Sequence, residues 1–186
     1  MTPAADIPIR RLATDALAPD EVERLRALLA AAFGDDPEER FTEDDWQHAL
    51  GGMHFLAEEE GRIVGHASVV ERDIRVSGRS LRTGYVEAVA IAVERQRAGI
   101  GTALMRAVAD HLDGFELGAL GTGEHAFYER LGWVTWRGPS SVRTTHGERP
   151  TPDEDGYIML LRTARTEAGL DLDAPISCEW RPGDAW

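Results

Sequence analysis

Gln96, Gly99 and Gly101 stand in the order Gln-x-x-Gly-x-Gly, after the apolar stretch Val86 to Val93 and just before Ala103-Leu104, which opens a helical pattern. Backbone N–H groups at a helix start, helped by the helix dipole, hold phosphate without needing a particular side chain. Glycine lets the backbone come close to such a ligand. Taken alone, the hexapeptide fits an ordinary tight turn as well. Slightly upstream, Glu87 is a carboxylate in the otherwise apolar strand Tyr85-Val86-Glu87-Ala88-Val89. Alternation puts it on the same face as Tyr85 and Val89. There it is a candidate to accept a proton or hold a cationic amine. A salt bridge to Arg82, or a wet strand face, would be the structural alternatives.

The chain of 186 residues carries 20 basic and 33 acidic side chains, a formal charge of -13. That is the wrong sign for binding a phosphate backbone by counterion release, so nucleic acid is not an expected partner. The charge would attract a cationic small molecule, although it also serves simply to keep a protein soluble. Cys178 is the single cysteine, which excludes an intrachain disulfide. The start lacks the basic and apolar segments of a signal peptide, and no apolar run is long enough for a bilayer. A cytoplasmic protein without a membrane partner is expected. The six histidines are scattered without metal-ligand spacing, so no metal is expected.

The elements that must position these groups follow from periodicity and turn chemistry. Ile7 to Leu12 reads as a strand and Asp20 to Phe33 as a helix ended by Gly34. Asp35 to Asp45 is strongly acidic, and Thr42-x-x-Asp45 resembles a capping box for a short helix through Leu50. Phe55 to Ala57, Ile63 to Val70 and a long strand ending near Val93 are separated by turns at Glu60-Gly61 and Ser77-Gly78. Gly101 to Leu112 repeats leucine and valine at four-residue steps, so it is the helix after the glycine loop. A strand at Leu117 to Leu120, a short helix at Glu124 to Leu131 and extended chain at Trp133 to Trp136 come next. Gly138 to Gly156 reads as a long loop with one strand at Ser141 to Thr144, and Tyr157 to Leu161 as a last strand. A terminus ordinarily frays, but the two tryptophans of the segment Ala174 to Trp186 argue for docking. The pattern predicts a single α+β domain over residues 1–186 with a mixed sheet.

Together with Phe127-Tyr128-Glu129-Arg130-Leu131-Gly132-Trp133, which follows at the appropriate distance, the glycine loop and its strand resemble the GCN5-related N-acetyltransferases (GNAT). The resemblance implies the GNAT fold: a mixed central β-sheet with an antiparallel N-terminal half, flanked by helices, with acyl-CoA bound where strands splay. It implies acetyl-CoA as cosubstrate, its pyrophosphate held by N–H groups of Arg97, Ala98, Gly99, Ile100, Gly101 and Thr102, with Gln96 placing the loop. Val89, Ala90 and Ile91 would line the pantetheine arm as if it were an added strand. The Val89 N–H would polarise the thioester carbonyl. Arg95 or Arg97 would reach the 3′-phosphate or stay solvated. Glu87 is the candidate proton acceptor. Tyr128, at the family's helix tyrosine, is the candidate donor to the departing thiolate, and its spacing equally suits a packed core aromatic. Proton transfer from a phenol to a thiolate is uphill by roughly 2 kcal/mol in water, which favours hydrogen bonding over full transfer.

Further segments resemble one branch, the aminoglycoside 2′-N-acetyltransferases: Phe41 to Trp46 with Leu50 to His54, Gly84 to Glu87, Gly138 to Val142, Pro150 to Gly156, and Cys178 to Trp186. By that resemblance the acceptor is a polycationic aminoglycoside, contacted by Glu87, Ala88, Asp153, Glu154, Asp184 and the terminal carboxylate of Trp186. Asp45 joins them, although it also suits the capping box. Asp36 is the best match for another acidic contact, beside an apparent insertion at Pro37 to Arg40. Gly121-Thr122-Gly123 is shorter and more glycine-rich than the serine-containing family pattern, and by the resemblance Thr122 stands in for a hydroxyl contact to the substrate. Members of the family are commonly homodimers. Attack would be direct, without a covalent intermediate. An acetyltransferase acting on another amine or a cell-wall amino sugar is the alternative, and a non-catalytic acyl-CoA sensor a more distant one.

Overall fold

The computed structural model describes residues 7–37 and 40–186. Its chain divides into two compact units, Met1–Val70 with Val86–Asp110, and Glu71–Tyr85 with His111–Trp186. Two long strands, β3 (Arg62–Val76) and β4 (Arg79–Ile91), run through both.

In the first unit, β1 (Ile9–Ala13) pairs antiparallel with β2 (Met53–Glu59), and β2 pairs antiparallel with β3. The expected hairpin turn is present: Glu60 and Gly61 both take positive φ, the conformation that matches a two-residue loop to strand twist. Helix α1 (Pro19–Phe33) starts with proline, which forgoes an N–H that a first turn leaves unpaired anyway, and stops at Gly34 with φ +78°. Its Leu25 and Leu29 are buried with Trp46, Leu56 and Ala90. Each such leucine contributes about 2 kcal/mol by leaving water. Helix α2 (Glu43–His48) is shorter than expected, and Thr42 and Asp45 form the capping box that the spacing predicts. Helix α3 (Ile100–Leu112) begins one residue before the expected Gly101, and Leu104 and Val108 on its apolar stripe are fully buried.

In the second unit the strand order is β6-β9-β5-β4-β3-β10-β7-β8. Here β5 (Leu117–Gly121) lies parallel to β4 over Thr83 to Tyr85 and antiparallel to β9 (Ile158–Arg162). Helix α4 (His125–Glu129) and the short β6 (Val134–Thr135) follow β5. The segment expected to be mostly loop contains a complete hairpin, β7 (Ser140–Thr144) with β8 (Gly147–Pro150). All four β8 residues are exposed, so no apolar alternation marked the strand. The expected docking of the tail is present: β10 (Ile176–Glu179) pairs parallel with β7 and antiparallel with β3. Trp186 is buried, whereas Trp180 stays largely exposed. Both antiparallel and parallel pairings thus occur, as a mixed sheet requires.

Candidate active site

The first unit carries the phosphate-loop candidates. After β4 the chain makes a single 3-10 turn, Val93–Arg95, and then takes positive φ at Arg97 (63°) and Gly99 (84°), with Ala98 between them outside that region. A left-handed residue beside a helical one forms an anion-binding concavity, and Gly99 leads directly into the first turn of α3 at Ile100. The Gln96 side chain donates from Nε2 to Ile91 O at 3.4 Å, tying the loop to the strand before it. Arg95 is engaged by Glu59, which leaves Arg97, exposed on the loop, as the better placed of the two arginines for a phosphate.

Strand β4 supplies the next candidates. Ala92 N–H donates to Val64 O at 2.9 Å, across to β3. Strand alternation then directs the Ala90 N–H toward β3 and the Val89 and Ile91 N–H groups away from it. Ala90 itself is buried in the α1 cluster, with Ala88 packed against it. Ala88 has φ +50°, a left-handed alanine inside a strand. Simple alternation is interrupted there, so period two alone does not place Glu87 and Val89 on one face. Non-glycine residues in this region cost of order 1–3 kcal/mol and collect at functional sites. Glu87 is partly buried, and its main-chain oxygen accepts a hydrogen bond from Ser68 Oγ at 3.4 Å. In the second unit, Arg82 donates to Glu71 Oε2 at 2.8 Å and Gly114 O at 2.8 Å.

Among the acceptor-side candidates of this unit, the Asp45 carboxylate is engaged locally. Its Oδ2 accepts from Thr42 N and Thr42 Oγ1, each at 2.7 Å. Asp36 is exposed, and its main-chain oxygen accepts from Arg40 N. Part of the apparent insertion, residues 38–39, lies outside the described residues.

The remaining candidates belong to the second unit. Asp153 and Glu154 form a short 3-10 turn led by Pro152. Glu154 is partly buried, and its carboxyl is pushed above the usual range by burial and then by the neighbouring charges of Asp184 and Asp153. Three acids therefore share one region. Trp186 is held beside them by a hydrogen bond from its Nε1 to Thr151 Oγ1 at 3.1 Å. The backbone carbonyl carbon and oxygen of Trp186 lie 3.7 and 3.8 Å from where a Cβ on Gly121 would sit, and Tyr85 Oη lies 3.5 Å from it. Arg181 donates to the oxygens of Asp184 (2.8 Å) and Trp186 (3.4 Å). Thr122 Oγ1 accepts the Glu124 N–H at 3.0 Å, where the chain enters α4.

Tyr128 is buried on α4, edge-on to Phe127 and Trp133. Burial, reinforced by the Glu124 charge, pushes its phenol up to about 12. It is both a packed aromatic and a hydroxyl that stays protonated throughout the neutral range. Cys178 is buried and its thiol is pushed up to about 11, chiefly by burial. A thiol held protonated is a weak nucleophile.

Known proteins match this arrangement. A family profile described as an acetyltransferase (GNAT) domain matches residues 13–135. An aminoglycoside 2′-N-acetyltransferase of Mycolicibacterium fortuitum is 40% identical over 169 residues, covering 88% of this chain and 84% of that protein. Among solved structures, the GNAT family N-acetyltransferase YhbS of Escherichia coli, crystallised with CoA, aligns at a TM-score of 0.65 with 18% identity, covering 96% of this chain and 92% of the other. A GCN5-related N-acetyltransferase from Kribbella flavida aligns at a TM-score of 0.57 with 20% identity; 73% of this chain is covered, but only 35% of that longer one. With its α+β architecture, its mixed sheet and a family match over most of its length, the chain belongs to the GNAT family of acetyltransferases.

Proposed function

We propose that the protein transfers the acetyl group of acetyl-CoA to the 2′-amine of an aminoglycoside by direct attack. The loop from Gln96 to Thr102 binds the pyrophosphate through backbone N–H groups, and Val89 and Ile91 present strand backbone to the pantetheine arm. The Val89 N–H donates to the thioester oxygen as negative charge develops there. Glu87 accepts the proton that the amine loses as its nitrogen bonds to the carbonyl carbon. The C–S bond breaks, the sulfur leaves with the electron pair, and the proton taken by Glu87 passes through solvent to the thiolate, giving the free thiol. Tyr128 stabilises the departing thiolate by hydrogen bonding. Full transfer from a phenol at about 12 to a thiol near 8.5 would be uphill by about 5 kcal/mol. The protonated, buried Cys178 supports a mechanism without an acyl-enzyme.

The observation that carries the acceptor class is the grouping of Asp153 and Asp184 around the partly buried Glu154 carboxyl. Such a site gains electrostatic relief when a polycation binds. The Mycolicibacterium fortuitum relative, named for 2′-N-acetylation of aminoglycosides, supports the same acceptor. In this reading the protein acts in the cytoplasm as a homodimer; no helix among the described residues is long and apolar enough to cross a membrane.

Incubation with acetyl-CoA and tobramycin or gentamicin is expected to add one acetyl mass, located by NMR on the 2′-nitrogen. An analogue bearing a 2′-hydroxyl should gain none. Transfer to another ring nitrogen, or a far higher catalytic efficiency on an unrelated amine, would overturn the assignment.

A further inference from the structure

A file of hydrogen bonds, buried in the first unit, ends on the peptide that joins Ala88 to Val89. His66 Nδ1 lies 2.7 Å from Ala88 O, His54 Nδ1 lies 2.9 Å from His66 Nε2, Thr14 Oγ1 lies 2.8 Å from His54 Nε2, and the Gly51 N–H donates to Thr14 Oγ1 at 2.9 Å. Both rings are fully buried. Burial pushes His66 down to about 3 and His54 to about 4, so both are neutral near physiological pH.

The partners then fix every proton. A carbonyl only accepts, so His66 carries its hydrogen on Nδ1 and its Nε2 is an acceptor. His54 must therefore donate from Nδ1, which leaves its Nε2 to accept the Thr14 hydroxyl proton. Thr14 in turn accepts from Gly51. The bonds of the file run one way, from Gly51 to the Ala88 carbonyl; Gly52 O, 3.4 Å from Thr14 Oγ1, is a longer second acceptor beside His54 Nε2 at 2.8 Å. Hydrogen bonds arranged head to tail strengthen one another.

The Ala88 carbonyl and the Val89 N–H belong to a single peptide, and no cis peptide bond occurs among the described residues. In a trans peptide the C=O and N–H bonds point in opposite directions, and their dipoles reinforce one another. A donor pulling on the oxygen from the β3 side therefore aims the N–H away from β3 and makes it more acidic. It also braces a left-handed alanine that an unsupported strand would not keep.

We propose that His66, backed by His54 and Thr14, is the positioning residue for the Val89 N–H, orienting and polarising the peptide that stabilises the thioester oxygen. The inference rests on the role given to Val89 above. A pair of satisfied core histidines with no such role would have the same burial, so the test reads the carbonyl itself.

Two measurements on the full chain decide it. Ring-nitrogen NMR of the unliganded wild type, which needs no variant to fold, should find both imidazoles neutral and protonated on Nδ1; a proton on Nε2 of either ring would overturn the file. Isotope-edited infrared spectra of acetyl-CoA labelled at the thioester carbonyl should show the stretch lowered on binding to the wild type. In His66→Phe that shift should shrink, with kcat falling about tenfold, a fraction of the loss seen when an oxyanion donor is removed outright. The acetyl-CoA Kd should stay within about threefold, since the thioester oxygen is one contact among many. His66→Asn, whose amide can reach Ala88 O from the place of Nδ1, should retain most of the shift, and Thr14→Val should lose a smaller part of it. An unchanged stretch in His66→Phe, or equal losses in the Phe and Asn variants, would overturn the proposal. The infrared readout contains no acceptor. A protein that acetylates no aminoglycoside would still give it, whereas a wild type that leaves the stretch at its solution value would refute the role of Val89 together with the file.

Discussion

Arg72 grips Glu179 at two points, donating from Nε to the carboxylate at 3.0 Å and from Nη2 to the main-chain oxygen at 2.9 Å. Its Nη1 reaches Ala185 O at 2.7 Å, and its guanidinium lies 4.8 Å from the centre of the Tyr85 ring. A single buried cation thus fastens both ends of the tail that carries Asp184 and Trp186. Replacing it leaves two carbonyls without their donors, and each buried polar group left unpaired typically costs about 1–3 kcal/mol. Arg72→Met should lower thermal stability and speed hydrogen exchange across residues 176–186, while exchange in α1 stays as in the wild type. Uniform acceleration over the whole chain would contradict a local anchor.

Gly138 faces the same tail from another side. A Cβ there would stand 1.9 Å from Ala174 O and 2.6 Å from Asp173 O, both main-chain atoms rather than the ends of flexible side chains. Gly138→Ala is therefore expected to destabilise the protein by about 3 kcal/mol or more, at the upper end of overpacking costs. Chemical denaturation would register this as a lower midpoint. A variant as stable as the wild type would mean that β10 can shift without loss.

What was legible in the chain was local. The Glu60-Gly61 and Ser77-Gly78 turns, the Thr42–Asp45 box and the α3 stripe each follow from a few adjacent residues, and each is present in the structure. The β7–β8 hairpin was not legible, because strands with polar residues on exposed faces look like loop. Nor was the histidine pair. His54 and His66 are brought together by the β2–β3 register, in which His54 faces Ser68 and Leu56 faces His66, making the two rings diagonal neighbours on one face. A signal existed in that each is a histidine flanked by apolar or small residues in a core-facing strand. Arg72 likewise looked like any other arginine until β10 was paired beside β3. The left-handed conformation of Ala88 has no local sequence signature at all.

The buried imidazoles should make stability depend on pH. Their folded values are lowered from 6.5 to about 4 for His54 and about 3 for His66. Below pH 6.5 the unfolded chain binds protons that the folded chain refuses, so stability is fully present above that value and is lost as pH falls toward 4. Lowering one ring by this much corresponds to a loss on the order of 3 kcal/mol. Urea midpoints measured between pH 7 and 5, above most carboxylate titration, should decline in the wild type and decline less in His66→Phe. Identical slopes would exclude the histidines as the cause.

Acceptor binding should be sensitive to both acid and salt. Because the Glu154 carboxyl is raised by burial and by Asp184 and Asp153, it loses its charge at a higher pH than an ordinary glutamate as acid is added. The acceptor KM should rise as pH falls through that raised value, and Glu154→Gln should raise it at neutral pH and flatten the dependence. Added salt should also raise the acceptor KM, by screening exposed charges, while leaving turnover at saturation nearly unchanged. An acceptor KM indifferent to salt would remove electrostatic attraction from the account. Trp186→Ala should act on the same constant, since its indole is hydrogen-bonded to Thr151 beside the acids. Equal damage to acetyl-CoA binding would instead mark that tryptophan as purely structural.

Tyr128 separates hydrogen bonding from proton transfer. With its phenol near 12 it remains protonated throughout the neutral range, and it can donate a hydrogen bond to sulfur without giving up the proton. Tyr128→Phe keeps the ring packed against Phe127 and Trp133, so folding should survive. Removing one donor to a developing anion typically costs about a hundred- to a thousand-fold in rate, so kcat should fall toward that range with the acetyl-CoA KM little changed. If the phenol only hydrogen-bonds, a thioester with a more acidic leaving thiol should recover much of the loss, because its thiolate needs less stabilisation. The alkaline limb of the pH–rate profile should not shift in the variant. A limb that disappeared with the hydroxyl would show that the proton itself is transferred, and that the phenol in the complex titrates far below its value in the free protein.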